Sequence, residues 1–103
     1  MGFTTQTSRN LPSAPTTPTI YNVTATLADT EYSQALSNST KKLLIRARGR
    51  TKLQISWEAG QTDTTFITIP AGAVRQLDGL DYSGSIYLRS SQAAQIIEIE
   101  EWT

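Results

Sequence analysis

From Ile20 onward, apolar and polar residues alternate with a period of two. That spacing turns successive side chains to opposite faces of a β-strand. Tyr21, Val23, Ala25 and Leu27 share one face, with Asn22, Thr24 and Thr26 on the other. Tyr32, Gln34 and Leu36 make a shorter run. Leu43, Ile45 and Ala47 point inward along the next strand, Lys42, Arg46 and Arg48 point outward, and Leu44 breaks the pattern. Leu53, Ile55 and Trp57 then alternate with Lys52, Gln54, Ser56 and Glu58. Between these two runs, Gly49-Arg50-Thr51 is short and contains glycine, which predicts a hairpin joining them.

The second half has the same texture. Ala59 to Asp63 reads as a loop, Thr64 to Ile69 as a strand, and Pro70-Ala71-Gly72 as its break. Val74 to Leu77 is a brief strand, followed by the turn Asp78-Gly79-Leu80-Asp81. Ser85 to Arg89 turns Ile86 and Leu88 inward, and in the last strand Ile97 and Ile99 oppose Glu98 and Glu100. Glu98, Glu100 and Glu101 together read as a solvated face or one that meets basic groups. No segment carries a helix-length amphipathic period. About eight short strands separated by turn signals predict an all-β domain over residues 20–103, an antiparallel β-sandwich or a jelly-roll-like barrel.

Residues 1–19 differ: they hold three of the four prolines, eight Ser or Thr residues and a single charge, Arg9. Pro12, Pro15 and Pro18 recur every third residue, the repeat of a polyproline II helix. This predicts an extended N-terminal arm, with Phe3 and Leu11 as its large apolar anchors. Met1-Gly2-Phe3-Thr4-Thr5 has neither the basic nor the apolar run expected of a signal peptide, and the longest apolar run, Leu43-Leu44-Ile45, is far too short to span a bilayer.

Composition narrows the chemistry. The chain of 103 residues suits one domain. It contains no His and no Cys, which removes imidazole bases, Ser-His-Asp triads, thiolate nucleophiles and the common zinc ligands. Asp78 and Asp81 are the nearest thing to a carboxylate pair, but they lie in a glycine-containing turn where Asp bonds its own backbone. No acidic loop has the density of oxygen ligands that calcium requires. No catalytic residue, metal ligand or cofactor site is therefore assigned. Among the aromatics, Trp57 continues an inward series, whereas Tyr82 and Tyr87 are candidates for an exposed contact surface.

Nine basic and nine acidic residues cancel overall. Residues 1–52 nevertheless carry seven basic and two acidic groups, a charge of +5, and residues 53–103 carry two and seven, a charge of −5. Two arrangements satisfy this order. Either the fold presents one basic and one acidic face, or the two sets interleave in space. Lys41, Lys42, Arg46, Arg48, Arg50 and Lys52 could neutralise phosphates, but no aromatic interleaves with them as a stacking platform would require. The expected partner of Arg46, Arg48 and Arg50 is thus protein rather than nucleic acid or membrane.

The runs Tyr21-Asn22-Val23-Thr24-Ala25-Thr26-Leu27, Tyr32-Ser33-Gln34-Ala35-Leu36 and Thr40-Lys41-Lys42 resemble small virion proteins of tailed bacteriophages. So do Ile45-Arg46-Ala47-Arg48-Gly49, Leu53-Gln54-Ile55-Ser56-Trp57 and Glu98-Ile99-Glu100-Glu101-Trp102-Thr103. Within that group the chain is most similar to capsid decoration, or cement, proteins. The resemblance implies a homo-oligomer, often a trimer, made in the bacterial host cytoplasm and seated on the outer capsid surface, where it binds the major capsid protein. It would make residues 1–19 the clamp between capsomers and the strand domain the oligomerisation unit. No family motif covers the arm, and its expected partner-binding residues, Phe3, Arg9, Leu11, Pro12, Pro15 and Pro18, rest on the arm's own composition. A tail, neck or fibre-adaptor protein would share the same strand signatures, and a carbohydrate-binding module is the further alternative.

Overall fold

The alternating runs condense into eight strands in a computed structural model that describes residues 17–103. Phe3, Arg9, Leu11, Pro12 and Pro15 lie outside the described residues, and Pro18 directly precedes the first strand. The strands are β1 (Thr19–Ala25), β2 (Glu31–Ala35), β3 (Lys42–Ala47), β4 (Leu53–Ser56), β5 (Ile67–Ile69), β6 (Val74–Leu77), β7 (Ser85–Ser90) and β8 (Gln95–Trp102). They form two four-stranded antiparallel sheets, in the orders β1-β8-β3-β6 and β2-β7-β4-β5.

The pairs β1/β8, β2/β7, β3/β6 and β4/β5 are nested, as if one long hairpin folded at β4–β5 had been rolled up. This is the winding of a jelly roll. Its consequence is that β4–β5 is the one sequential connection that stays within a sheet, and every other link crosses between layers. The expected hairpin at Gly49-Arg50-Thr51 is therefore a correction. Strand β3 pairs with β6 and β8, while β4 pairs with β5 and β7. Leu43 and Ile45 of β3 and Leu53 and Ile55 of β4 are all buried, so their strands cover one core from opposite layers. Turn residues alone do not distinguish a link within a sheet from a link between sheets.

The core consists of Val23, Ala25, Leu43, Ile45, Leu53, Ile55, Ile69, Ile86, Leu88, Ile97 and Ile99. Each Leu or Ile side chain removed from water contributes about 1.5–3 kcal/mol before chain entropy is charged against it. Two sequence expectations shorten. Leu27 falls beyond β1, whose pairing with β8 ends at Ala25 opposite Gln95, and it is 60% exposed. The strand expected from Thr64 keeps only Ile67–Ile69, because the Thr64 and Thr65 amides both turn back onto the Gln61 carbonyl, at 3.1 and 2.9 Å. The first strand also takes in Thr19, one residue earlier than the 20–103 boundary.

Candidate interaction surface

The period of two that buries Ile97 and Ile99 carries one residue further, and Glu101 points inward with them. Its carboxylate is 1% exposed, a correction to the reading of Glu98, Glu100 and Glu101 as one outward group. A buried carboxylate is tolerable only if donors surround it, and here they do. Tyr21 Oη donates to Oε1 at 2.7 Å. The other oxygen, Oε2, accepts from the Ser37 amide at 2.9 Å, from Ser37 Oγ at 3.0 Å and from Thr40 Oγ1. Burial pushes the Glu101 carboxyl up, but the bonds from Thr40, Tyr21 and Ser37 outweigh it and hold the group below the ordinary glutamate range. The same contact, with burial, raises the Tyr21 hydroxyl. Glu101 thus fastens the β2–β3 connection to the last strand.

A second acid does the same for the β4–β5 loop. Glu31 accepts from the Gly60 amide at 2.8 Å, the Thr62 amide at 3.2 Å and Thr62 Oγ1 at 2.8 Å. Desolvation opposes its ionised form, and these bonds together with the nearby Arg89 charge still lower its carboxyl. The two clamps act toward opposite ends of β2: Glu31, opposite Arg89, holds the β4–β5 loop, and Glu101 holds the link that leaves β2 after Ala35, opposite Ser85. The Trp57 ring, packed edge-on against Tyr82 with centroids 4.8 Å apart, ties the same two regions together, since Tyr82 bridges to Thr40. Tyr82 also donates to the Ser85 carbonyl at 2.7 Å, so it is half-buried rather than a free contact residue. Tyr87 is half-buried on β7.

Two of the predicted basic residues, Arg46 and Arg48, meet at the outer face of the β1-β8-β3-β6 sheet. Register places Arg46 opposite Glu98 and Leu44 opposite Glu100, with Ile20 and Asn22 flanking the same two glutamates from β1. Val74 lies beside Arg46 from β6. Arg46 Nε and Arg48 Nε both donate to Glu98, at 2.7 and 2.8 Å, one to each carboxylate oxygen. The Arg48 and Arg46 bonds lower that carboxyl. Ile20 and Val74 are 65% and 50% exposed, so the charged triad sits among uncovered apolar side chains. A shallow groove of about 360 Å³ runs along β8 between Ile20 and Asn22 on one side and Leu44 and Arg46 on the other.

Arg50 stands apart, on the β3–β4 link. Its guanidinium covers Gly72, where φ is +79° and a Cβ would lie 2.8 Å from Nη1. Lys41 and Lys42 pair with Asp81 and Asp78 at 3.2 and 3.8 Å. Every one of these ion pairs joins the basic half of the chain to the acidic half, so the charges interleave. Among the described residues these pairs set basic and acidic groups side by side rather than on separate faces. Asp78 and Asp81 take up those lysines on an exposed loop. Among the described residues, no group of three or more His, Cys, Asp or Glu is placed to hold a metal ion.

Of the predicted site residues, the structure brings Arg46 and Arg48 together, separates Arg50, and half-buries Pro18 at the entry to β1. Sequence reasoning missed Glu101 and Glu31. For Glu101 the signal was present as the third member of the Ile97, Ile99 series. The chain matches no protein-family model, no curated protein and no solved structure.

Proposed function

We propose that the chain is a structural binding protein of a tailed-phage virion, a decoration protein that attaches to the outer capsid surface and bridges neighbouring capsomers. The observation that carries this reading is the outer face of the β1-β8-β3-β6 sheet. Exposed Ile20 and Val74 and half-buried Leu44 surround a charged triad in which Arg46 Nε and Arg48 Nε each donate to one Glu98 oxygen. Such a surface supports contact without a reactive group: apolar side chains supply area to bury, and the pairing of Glu98 with two arginines offsets part of the desolvation cost. The strand at its edge, β1, is also the one that the proline-spaced segment leads into.

An extended segment that orders on binding covers more surface than a domain this small can offer alone. Many weak identical contacts then add through effective concentration when copies are linked as oligomers. The test is to mix the purified chain with expanded shells of its own phage and pellet them. Co-sedimentation at fixed stoichiometry supports the assignment, and a chain left wholly in the supernatant at concentrations well above the shell-site concentration refutes it.

A further inference from the structure

Two strands end each sheet of the sandwich, and three of those four edges are blunted. Strand β5 has three residues and runs straight into Pro70, β6 has four and carries Arg75, and β2 carries Glu31. Short strands, charges and prolines keep sheet edges from pairing with other chains. Strand β1 has none of these along its length. It is seven residues long, uncharged, and matched one-to-one with β8 without a bulge.

The direction of its main-chain groups follows from the other side of β8. The Arg48 amide donates to the Ile96 carbonyl at 2.8 Å, next to the Ala47–Ile97 pair. Antiparallel pairing alternates, so Glu98 and Glu100 also turn their main chains toward β3, and Ile97 and Ile99 turn theirs toward β1. Val23 and Tyr21, opposite Ile97 and Ile99, are thereby bonded to β8. The N–H and C=O groups of Ile20, Asn22 and Thr24 point the other way, off the edge. Among the described residues no segment pairs with them, and the same three side chains are exposed.

We infer that β1 is a dimerisation edge, pairing antiparallel with β1 of a second copy about a two-fold axis at Asn22. The strand itself selects this occupant. Asn22 is the middle residue of β1, so this register leaves no residue of either strand over. Asn22 also lies in the outward phase. Ile20 with Thr24, Asn22 with Asn22 and Thr24 with Ile20 therefore become hydrogen-bonded pairs, roughly six main-chain bonds in all. An axis at Tyr21 would instead set Pro18, which has no N–H, opposite Thr24.

The side chains agree with the register. On the inner face, Tyr21 meets Val23 of the second copy in the closer, non-hydrogen-bonded pairing, an aromatic on a β-branched side chain. On the outer face, Ile20, 65% exposed in the single chain, gains Thr24 of the second copy as its neighbour. No charge meets a like charge across the axis, because β1 carries none. Two four-stranded sheets thus join into one continuous sheet, with two Arg46–Arg48–Glu98 faces side by side. The pairing does not depend on attachment to a capsid.

The chain contains no cysteine, so single introduced cysteines read the register. In the dimer the two chains' positions 22 are directly opposite, about 5.5 Å apart at Cα and within disulfide range. The two positions 20 are four residues out of register, about 13 Å apart along the strands. Asn22→Cys and Ile20→Cys, in the full chain, are oxidised at equal concentration and the interchain disulfide is followed on non-reducing gels. Asn22→Cys is expected to cross-link about tenfold faster or more, because pairing raises the local thiol concentration. Sedimentation velocity of the wild-type chain without shells, from micromolar to millimolar concentration, is expected to show monomer and dimer. Asn22→Pro keeps the pairing with β8, removes the central bonds across the axis, and is expected to raise the dimer dissociation constant about tenfold. The cysteine comparison stands whether or not the proline variant folds. Equal cross-linking at positions 20 and 22 overturns the inference. So does a wild-type chain that stays monomeric up to millimolar concentration, or one that assembles as a trimer.

Discussion

Replacing Glu101 by Gln keeps the shape of the buried side chain and removes its charge. In wild type, one carboxylate oxygen takes the Tyr21 hydroxyl and the other takes three donors from Ser37 and Thr40. In the variant, the amide oxygen can occupy the three-donor position, and the amide nitrogen can donate to a rotated Tyr21 hydroxyl. The hydrogen-bond count survives, but charge assistance, which roughly doubles the strength of each bond, is lost. The expected cost at neutral pH is about 1–2 kcal/mol, or a fall in melting temperature on the order of 4–8 °C per kcal/mol for a domain of this size.

The pH dependence separates this account from simple repacking. The folded-state carboxyl lies below its unfolded value, so its contribution is fully present above the unfolded pKa, about 4.3. It is lost as pH falls through the folded pKa. Urea titrations followed by the fluorescence of Trp57 and Trp102, repeated between neutral and strongly acidic pH, measure the difference between the two proteins. That difference is expected to be largest at neutral pH and to shrink steadily in the acid range, where wild-type Glu101 becomes a neutral group like glutamine. A difference that stays constant across the range, or that widens on acidification, would refute the reasoning.

Other substitutions extend the test. Glu101→Ala, which strands four donors, is expected to cost about 3–5 kcal/mol in the same titration. Tyr21→Phe removes one charge-assisted bond and is expected to cost about 1.5–3 kcal/mol. Glu31→Ala should loosen the β4–β5 loop with a smaller effect on global stability, seen as faster amide exchange at Gly60 and Thr62 but little change at Ile97 and Ile99. Charge reversal of both Arg46 and Arg48 places them against Glu98; shell association is expected to weaken, most strongly at low salt, in a sedimentation assay. Deleting residues 1–16, which lie before the described strands, should leave the far-ultraviolet spectrum of the β-domain intact while lowering shell occupancy.

Much of the architecture was legible because the core obeys a single rule. Val23, Ala25, Leu43, Ile45, Leu53, Ile55, Ile86, Leu88, Ile97 and Ile99 all fall on the inward phase read from the sequence, and all are buried. What the alternation does not encode is which strand lies beside which. The β3–β4 link looks like a hairpin locally, and only the demand that two apolar faces cover the same core sends the strands to different sheets. Leu27 shows the complementary limit, an in-phase residue left exposed where its pairing partner strand runs out.

At the surface, sequence order showed a strong segregation of charge, yet antiparallel pairing brings β3 against β8 and joins Arg46 to Glu98 across 52 residues of chain. Glu101 is the instructive miss. Its charge argued for solvent and its phase argued for the core; the donors that reconcile the two, Tyr21, Ser37 and Thr40, lie 61 to 80 residues away.

The central claim is that this sandwich attaches to the outside of a capsid. Electron microscopy of expanded shells, imaged bare and after saturation with the intact chain, tests it most directly. The account predicts added density at regular positions on the outer surface, sized for a small β-domain or an oligomer of it. Shells that look identical with and without the chain, or density confined to a tail or neck, would contradict it.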